Sequence, residues 1–204
     1  MTAVVIDYGA GNLASVVKAL RAAGADASIA RSPADLGDGD GIIIPGVGHF
    51  GATRGIDASM RDALRSSSAP LLGICLGMQV LFEGSDEAAD VPGLGLLGGR
   101  VTRMAGLDAN GGALKIPHVG WNTLDVSRES ALMRGTDPGA AVYFTHGYAA
   151  PVTHDTVAVT EHGCPFASIV ERGRISGMQF HPEKSGRIGL TLLKNWVAQC
   201  SASA

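Results

Sequence analysis

The first half of the chain alternates between short apolar runs and stretches in which apolar residues recur at helical spacing. Residues 13–20 carry apolar side chains at i, i+3, i+4 and i+7, and Gly24 follows at a position typical of a helix end. Helical patterns also cover 56–65 and 76–82. Buried strands are predicted for four apolar runs: 3–7, 27–30, 42–44 and 71–74. The alternation predicts βαβ units around a parallel sheet.

The second half shows a different pattern, with short β-branched or aromatic segments separated by Gly, Asn and Pro. This pattern predicts antiparallel strands and hairpins, with a turn at 171–174. The predicted strands are 100–104, 115–121, 141–148, 156–160, 167–170 and 174–180. A last amphipathic helix carries Leu190, Leu193, Trp196 and Val197 on one side. We therefore predict one α/β domain.

Composition and charge exclude several classes of protein. The 204 residues are 46% hydrophobic, which is too apolar for an intrinsically disordered chain. Sixteen basic and nineteen acidic side chains give a net charge of −3, so nothing favours a nucleic-acid partner or a polybasic membrane anchor. The 29 glycines show no collagen-like period and are expected at turns and close backbone approaches.

The sequence favours a cytoplasmic location. The most apolar run, 71–82, is interrupted by Gln79 and is far shorter than the about 20 residues of a membrane helix. No basic region precedes the first apolar stretch, so no secretory signal is expected. The cysteines, Cys75, Cys164 and Cys200, lack the spacing of zinc or redox motifs and are expected as free thiols.

Residues 73–77 read Gly-Ile-Cys-Leu-Gly and join a predicted strand to a predicted helix. They fit G-x-C-x-G, a thiol version of the nucleophile elbow, in which the glycines prevent Cβ clashes in a tight corner. The positive end of the helix dipole would favour the thiolate. The alternative is a buried structural cysteine. We predict that Cys75 is the nucleophile and that Cys164 and Cys200 are structural.

A cysteine nucleophile needs a base, and the base needs an orienting acceptor. His181 is the candidate base because it ends the predicted strand 174–180 and is followed by Pro182 and Glu183. The proline holds the chain extended, so the imidazole and the carboxylate can pair. Sites collect at the ends of strands in an α/β sheet, which would bring His181 towards Cys75. Taken alone, the segment also suits a loop histidine before a helix-starting glutamate.

Residues 45–48 read Pro-Gly-Val-Gly and directly follow the predicted strand 42–44. Acyl transfer needs backbone N–H groups aimed at a developing oxyanion. A glycine-flanked peptide at a strand end can supply one and can also rotate. An ordinary Pro-Gly turn is the alternative.

One motif suggests a different chemistry. Residues 9–14 fit G-x-G-x-x-A, a dinucleotide-binding pattern, but the ribose-binding acid is missing at the end of the second predicted strand. Arg31 could instead face a 2′-phosphate, which leaves NADP as an alternative. We otherwise predict no cofactor and no metal, because no His, Cys and Asp cluster has metal-ligand spacing. The remaining histidines are predicted as hydrogen-bonded structural residues (His118, His146) and as loop residues (His49, His154, His162).

Taken together, these motifs resemble those of the class I, triad-type glutamine amidotransferases. The resemblance rests on 73–79, Gly-Ile-Cys-Leu-Gly-Met-Gln, and on 179–183, Gln-Phe-His-Pro-Glu. Further segments resemble one subfamily, the glutaminase subunits of imidazole glycerol phosphate synthase in histidine biosynthesis. Those segments are 7–13, 45–50, 115–122, 143–146 and 182–186, and the resemblance runs from residue 4 to about 197.

The resemblance implies a flavodoxin-like fold over residues 1–204, with a mixed central sheet flanked by helices and an antiparallel β-rich second half. It also implies a reaction. Glutamine would acylate Cys75 and release ammonia, and water would hydrolyse the thioester to glutamate. His181 would act as general base and then acid, and Glu183 would orient it.

By position, the resemblance also implies where glutamine binds. The oxyanion hole would use the amides of Val47 or Gly48 and of Leu76, and the substrate would contact Gly48, Gln79, Gly147 and Tyr148. The family pattern has Ser or Thr where this chain has Gly147. Glycine suits a backbone contact, whereas a required hydroxyl would make glutamine binding weaker.

The implied partner is a (βα)8-barrel cyclase subunit in a heterodimer. It would receive the ammonia through an internal channel and make imidazole glycerol phosphate and a carboxamide ribonucleotide. Asn12, Trp121 and Tyr143 are the implied interface residues. A chain this short offers no domain for an ammonia acceptor, so we expect slow glutamine hydrolysis, with the 45–48 peptide misaligned, until the partner binds.

Two alternatives stay open. A triad-type amidotransferase subunit could serve another ammonia acceptor, although segment 115–122 argues against it. A non-catalytic module could use the same fold, although such modules usually lose a triad member and this chain has all three.

Overall fold

Short strands alternating with helices build the fold in the computed structural model, which describes residues 1–37, 39–108 and 110–203. The strands of the first half are β1 (Thr2–Ile6), β2 (Asp26–Ala30), β3 (Gly41–Ile44) and β4 (Leu71–Ile74). Later strands are β5 (Thr102–Arg103), β6 (His118–Thr123), β7 (Asp125–Val126), β8 (Ala141–His146), β9 (Tyr148–Ala149), β10 (Thr156–His162), β11 (Cys164–Arg172) and β12 (Ile175–Met178). The α-helices are α1 (Leu13–Ala22), α2 (Ala58–Ser66), α3 (Leu76–Val80) and α4 (Gly186–Ser203).

The central sheet has eight strands in the order β2-β1-β3-β4-β12-β11-β10-β7. Strands β2, β1, β3, β4 and β12 run parallel, and β12, β11, β10 and β7 pair antiparallel. Two small antiparallel ladders, β5 with β9 and β6 with β8, lie outside this sheet. The predicted α/β fold with a mixed sheet and an antiparallel second half is therefore confirmed.

Helix α1 shows how local sequence sets an element. The Asn12 side chain caps its first turn by accepting from the Ser15 N–H at 3.2 Å, and Val16 and Leu20 are buried on one face. The helix ends before Gly24, whose φ of +94° is a conformation that suits glycine. The prediction for this helix is confirmed.

Apolar side chains cover both faces of the sheet. One group packs under α1 and α4 and includes Ile43, Leu72 and the fully buried Trp196. The other lies under α2 and α3 and includes Ile44 and Leu64. Burial on both faces explains why β1, β3 and β4 are almost continuously apolar in sequence, whereas the edge strand β2 exposes Asp26 and Ser28.

The structure differs from the sequence prediction in several elements. The connection from β2 to β3 carries a short 3-10 helix, Pro33–Leu36, and the predicted helix 76–82 ends at Val80. Strand β12 forms the predicted hairpin with β11 but also pairs in parallel with β4. The short edge strand β7 was not predicted, because two residues leave no periodic pattern. Within the described ranges, no helix combines the length and apolar character needed to cross a membrane.

Candidate active site

Cys75 lies at the corner between β4 and α3 with φ 53° and ψ −109°. Among the described residues, it is the non-glycine residue with a positive φ, and such strain is typical of functional positions. A Cβ on Gly73 would lie 2.5 Å from the Gly77 carbonyl oxygen, and a Cβ on Gly77 would overlap the Ile44 carbonyl oxygen. The geometry is that of the predicted elbow, and the two glycines are required by close backbone contacts.

His181 and Glu183 form a buried pair at the end of β12. Nδ1 of His181 lies 2.8 Å from Oε1 of Glu183, and the two side chains are 1% and 3% exposed. The backbone of His181 is fixed as well, because its N–H donates to Tyr143 and its carbonyl accepts from the Ser185 hydroxyl at 2.7 Å. The imidazole is therefore held in one orientation.

Electrostatics raise the pKa of this imidazole. Burial by itself lowers the pKa of His181, but the nearby Cys75 and the hydrogen-bonded Glu183 carboxylate more than offset this effect and raise the pKa to about 9. Nε2 of the ring has no hydrogen bond of normal geometry to any described residue. The ring is thus paired with a carboxylate on one side, and its free nitrogen is available for chemistry at Cys75.

Two buried glutamines connect to the sulfur. Gln79 Nε2 donates to the Tyr148 carbonyl at 2.9 Å and to Gln179 Oε1 at 3.2 Å. Gln179 Nε2 donates to Cys75 Sγ at 3.8 Å. The sulfur is also 3.9 Å from the Thr145 carbonyl oxygen. In the sequence, Gln179 is part of the 179–183 motif, and that motif does not predict its contact with the Cys75 sulfur.

A small cavity opens beside Cys75. Its wall consists of Gly48, Cys75, Leu76, Gln79, Glu87, Thr145, His146, Gly147 and Tyr148. Its volume of about 30 Å³ corresponds to about one water molecule. A whole glutamine would therefore either extend out of the cavity entrance or require the lining residues to move apart. A larger groove of about 880 Å³ along residues 124–139 contains none of the predicted site residues.

All four residues predicted to contact the substrate lie in the cavity wall, which also contains Glu87. Gly147 has room for a side chain, since a Cβ would lie 3.6 Å from Ile116 Cγ2, an ordinary contact. Glu87, which accepts from the Phe50 N–H at 2.7 Å, was not predicted. No sequence pattern pointed to Glu87, because only the tertiary fold brings it to Cys75.

The 45–48 peptide lies against the elbow. The Tyr8 hydroxyl donates to the Pro45 carbonyl at 2.7 Å, and a Cβ on Gly46 would overlap that hydroxyl. Burial, together with the charge of Cys75, raises the pKa of Tyr8. Gly48 has a φ of +92° and lines the cavity, whereas Val47 is 37% exposed and does not line it.

The dinucleotide-like motif has a structural explanation. A Cβ on Gly11 would lie 3.4 Å from the Gly46 nitrogen, so this glycine allows α1 to approach the 45–48 peptide. Arg31, considered for a 2′-phosphate, pairs with Asp7 at 2.9 Å. Both features favour a role in supporting the site over dinucleotide binding.

His146, in the cavity wall, and His118, next to it, are hydrogen-bonded structural residues, as predicted. His146 Nδ1 donates to the Tyr148 carbonyl at 2.8 Å, and its Nε2 lies 3.3 Å from His118 Nδ1. This pattern requires neutral rings, and burial lowers the pKa of His118 to about 4 and that of His146 to about 3. The loop prediction for His162 was wrong: it ends β10 and stacks on His118 at 4.2 Å, a long-range contact that its local sequence did not indicate.

Two of the three predicted interface residues lie together. Trp121 and Tyr143 are cross-strand partners on β6 and β8, with ring centroids 6.1 Å apart. Trp121 is 59% exposed and Val119 on the same strand is 53% exposed, so the ladder presents an apolar surface. Asn12 is exposed at the start of α1, where its side chain caps the helix.

Comparison with known proteins shows the protein family to which the chain belongs. The class-I glutamine amidotransferase family model matches residues 4–200. The chain therefore belongs to the class-I glutamine amidotransferase family, which confirms the enzyme class expected from the sequence. A solved glutamine amidotransferase with 19% identity has the same fold, with a TM-score of 0.73 over 97% of this chain and 98% of that one.

Within the family, the similarity is to one kind of subunit. The imidazole glycerol phosphate synthase subunit HisH of Symbiobacterium thermophilum is 44% identical over 203 residues, which cover 95% of this chain and 92% of that protein. The HisH subunit of Deinococcus radiodurans is 43% identical over 199 residues, covering 94% and 90%. The subfamily resemblance noted in the sequence is thereby confirmed.

Proposed function

We propose that the chain is the glutaminase subunit of an imidazole glycerol phosphate synthase, as its HisH relatives are named. It hydrolyses glutamine to glutamate and ammonia through a thioester on Cys75. The observation that carries the proposal is the buried His181–Glu183 pair, in which Cys75 contributes to the raised pKa of His181. An imidazole oriented by a carboxylate and coupled to a thiol is the arrangement that activates a cysteine nucleophile.

The first half-reaction acylates the enzyme. The Cys75 thiol gives its proton to His181, and the resulting thiolate attacks the side-chain amide carbon of glutamine, so that negative charge develops on the amide oxygen. Backbone N–H groups of Leu76 and of Val47 or Gly48 stabilise this charge. Protonated His181 donates its Nε2 proton to the amide nitrogen, the carbon–nitrogen bond breaks, and ammonia leaves.

The second half-reaction restores the enzyme. Neutral His181 takes a proton from a water molecule, whose oxygen attacks the thioester carbon. The carbon–sulfur bond breaks, the sulfur of Cys75 leaves as thiolate, and glutamate departs. His181 carries its proton again, and Glu183 has held the ring throughout. The sum consumes glutamine and water and produces glutamate and ammonia.

The cavity beside the sulfur supplies the substrate contacts. Gln79 uses both amide N–H groups inside the protein, so it offers glutamine only its carbonyl oxygen. The carboxylate of Glu87 lies in the cavity wall and suits the α-ammonium group of glutamine. The backbone of Gly48, Gly147 and Tyr148 completes the binding site.

The partner in this proposal is a (βα)8-barrel cyclase that receives the ammonia in a heterodimer. The exposed apolar surface of Val119 and Trp121, flanked by Tyr143, supports it, because exposed aromatic side chains are typical of protein interfaces. Asn12 is included in this proposed interface because of the family resemblance. Because a site that hydrolysed glutamine without an acceptor would waste it, we propose slow turnover until the cyclase binds.

We also propose a cytoplasmic location. Cys75, Cys164 and Cys200 are all unpaired thiols, which is typical of a reducing compartment. Two of them, Cys75 and Cys200, are buried.

The triad assignment is tested by Cys75→Ala in the complex with a cyclase. We expect the variant to lose glutamine-dependent synthesis and to keep ammonia-dependent synthesis, since ammonia bypasses the thioester. Cys164→Ala, at a half-buried cysteine away from the cavity, should keep both activities. Glutamine-dependent activity surviving in Cys75→Ala would refute the assignment, and loss of both activities would point to a damaged interface.

A further inference from the structure

The register of β4 and β12 places Cys75 and Gln179 beside each other. These strands pair in parallel up to Ile74 and Met178. The Cys75 N–H then donates to the Met178 carbonyl at 2.7 Å. On the next residue, Gln179 Nε2 donates to Cys75 Sγ at 3.8 Å. The sheet itself therefore delivers the side-chain amide to the sulfur.

The direction of the Gln179 amide is set by Gln79. Gln79 Nε2 donates to the backbone carbonyl of Tyr148, an atom that can only accept, so the orientation of the Gln79 amide is fixed. The same nitrogen donates to Gln179 Oε1 at 3.2 Å. Since that oxygen is committed to Gln79, the N–H₂ group of Gln179 must face Cys75. Donors and acceptors run in one direction, from Gln79 through Gln179 to the sulfur.

Burial strengthens this arrangement. Gln179 is 0% exposed and Gln79 is 4% exposed, so water does not compete for their hydrogen bonds. Placing two amides in a core of apolar side chains costs free energy unless their groups are paired. If position 179 served packing alone, an apolar side chain would be favoured there. The amide of Gln179 instead places a hydrogen-bond donor against the Cys75 sulfur, where it can act in the reaction.

We propose that Gln179 is a catalytic residue that donates a hydrogen bond to the Cys75 thiolate, and that Gln79 is a positioning residue that fixes the direction of this donor. The inference rests on the proposed thioester mechanism. In acylation, the donor favours the thiolate form that attacks glutamine. In deacylation, it stabilises the same thiolate as the leaving group. Removing it should therefore slow both half-reactions.

The test measures the reactivity of Cys75 directly, by its rate of alkylation with iodoacetamide as a function of pH in the full chain carrying Cys164→Ala. A hydrogen bond to a charged group contributes about 1.5–3 kcal/mol. We therefore expect Gln179→Met to slow alkylation near neutral pH by about tenfold or more and to shift the pH profile upward. Gln179→Glu keeps the acceptor for Gln79 but loses the donor, and should also slow alkylation.

Gln79→Met separates positioning from donation. It leaves the Gln179 donor in place but removes its anchor, so we expect a smaller loss, about threefold, and a raised KM for glutamine. The control is Thr160→Val, which removes a buried hydroxyl that donates to the Thr123 carbonyl at 2.8 Å. It should lower the melting temperature without changing alkylation.

Alkylation at the wild-type rate and with the wild-type pH profile in both Gln179 variants would overturn the proposal, whatever happens to stability. If Gln179→Met does not fold, Gln179→Glu carries the test. Because iodoacetamide does not need the glutamine site, this outcome is independent of glutamine turnover. Failure of the wild-type complex to hydrolyse glutamine would instead refute the proposed function.

Discussion

At the scale of single residues, the site depends on how burial and charge act on one imidazole. Burial alone would leave His181 neutral, as it does the rings of His118 and His146. The difference is that His181 has Glu183 at 2.8 Å and interacts with Cys75, whereas the other two rings hydrogen-bond each other. Buried histidines with a raised pKa (His181) and with lowered pKa values (His118 and His146) therefore lie in the same part of the molecule.

This contrast predicts the pH dependence of the enzyme. Because the pKa of His181, about 9, lies above that of an unfolded histidine, its pairing stabilises the fold fully below about pH 6.5 and is lost as pH rises through about 9. We expect kcat for glutamine hydrolysis in the cyclase complex to fall over the same alkaline range. Glu183→Gln should lower kcat and move this fall to lower pH, because the ring loses its carboxylate.

The exposed Glu129 provides the matched control, since Glu129→Gln makes the same change of charge away from the cavity. It should leave the pH profile unchanged. An alkaline limb that stays in place in Glu183→Gln would show that the carboxylate does not set the protonation of His181.

Some of the proposed residue roles could be predicted from the sequence, and others required the fold. Cys75, His181 and Glu183 were predicted because their motifs carry local constraints, namely glycines at a corner and a proline between base and acceptor. Glu87 and the donor direction of Gln179 were not predicted. Both depend on contacts between segments far apart in the chain, and no local pattern encodes such contacts.

At the scale of elements, the strand-to-helix corner fixes the position of Cys75, the proposed nucleophile. Gly77 lies so close to the end of β3 that an added Cβ would overlap the Ile44 carbonyl. Gly77→Ala should therefore destabilise the fold by about 2–3 kcal/mol and reduce alkylation of Cys75. Urea unfolding and iodoacetamide labelling measure the two effects.

Gly98 offers the control for this substitution. It is exposed, no atom lies within 4 Å of an added Cβ, and its φ is not positive, so Gly98→Ala should be close to neutral. Equal stability of the two variants would mean that the corner relaxes easily and does not fix Cys75.

The strands also show which features hydrophobic periodicity predicts and which it does not. Strands β1, β3 and β4 were predicted well because burial on both faces makes them almost continuously apolar. The parallel pairing of β12 with β4 was not predicted, since a hairpin with β11 explains its sequence equally well. The pairing of β12 with β4 places Gln179 beside Cys75. The contact between Gln179 and the sulfur was therefore missed because the pairing was not predicted.

At the scale of the whole molecule, the family and the surface point to a protein that works with a partner. The chain belongs to the class-I glutamine amidotransferases and is similar to HisH subunits over more than nine-tenths of its length. The cavity beside Cys75 holds only about one water molecule's volume, and the ladder with Trp121 leaves apolar surface exposed. The exposed ladder gives a partner an apolar surface to bind.

Cys75 as the thioester-forming nucleophile is the central claim, and trapping the acyl-enzyme tests it most directly. Labelled glutamine is mixed with the chain, alone and in complex with a cyclase and its nucleotide ligand, and the reaction is stopped with acid within the first turnover. Mass spectrometry of the peptides then locates the label. We expect a glutamyl group on the peptide that contains Cys75, formed faster in the complex and absent from Cys75→Ala. Glutamate release with no label on that peptide, or with the label on another residue, would contradict the account.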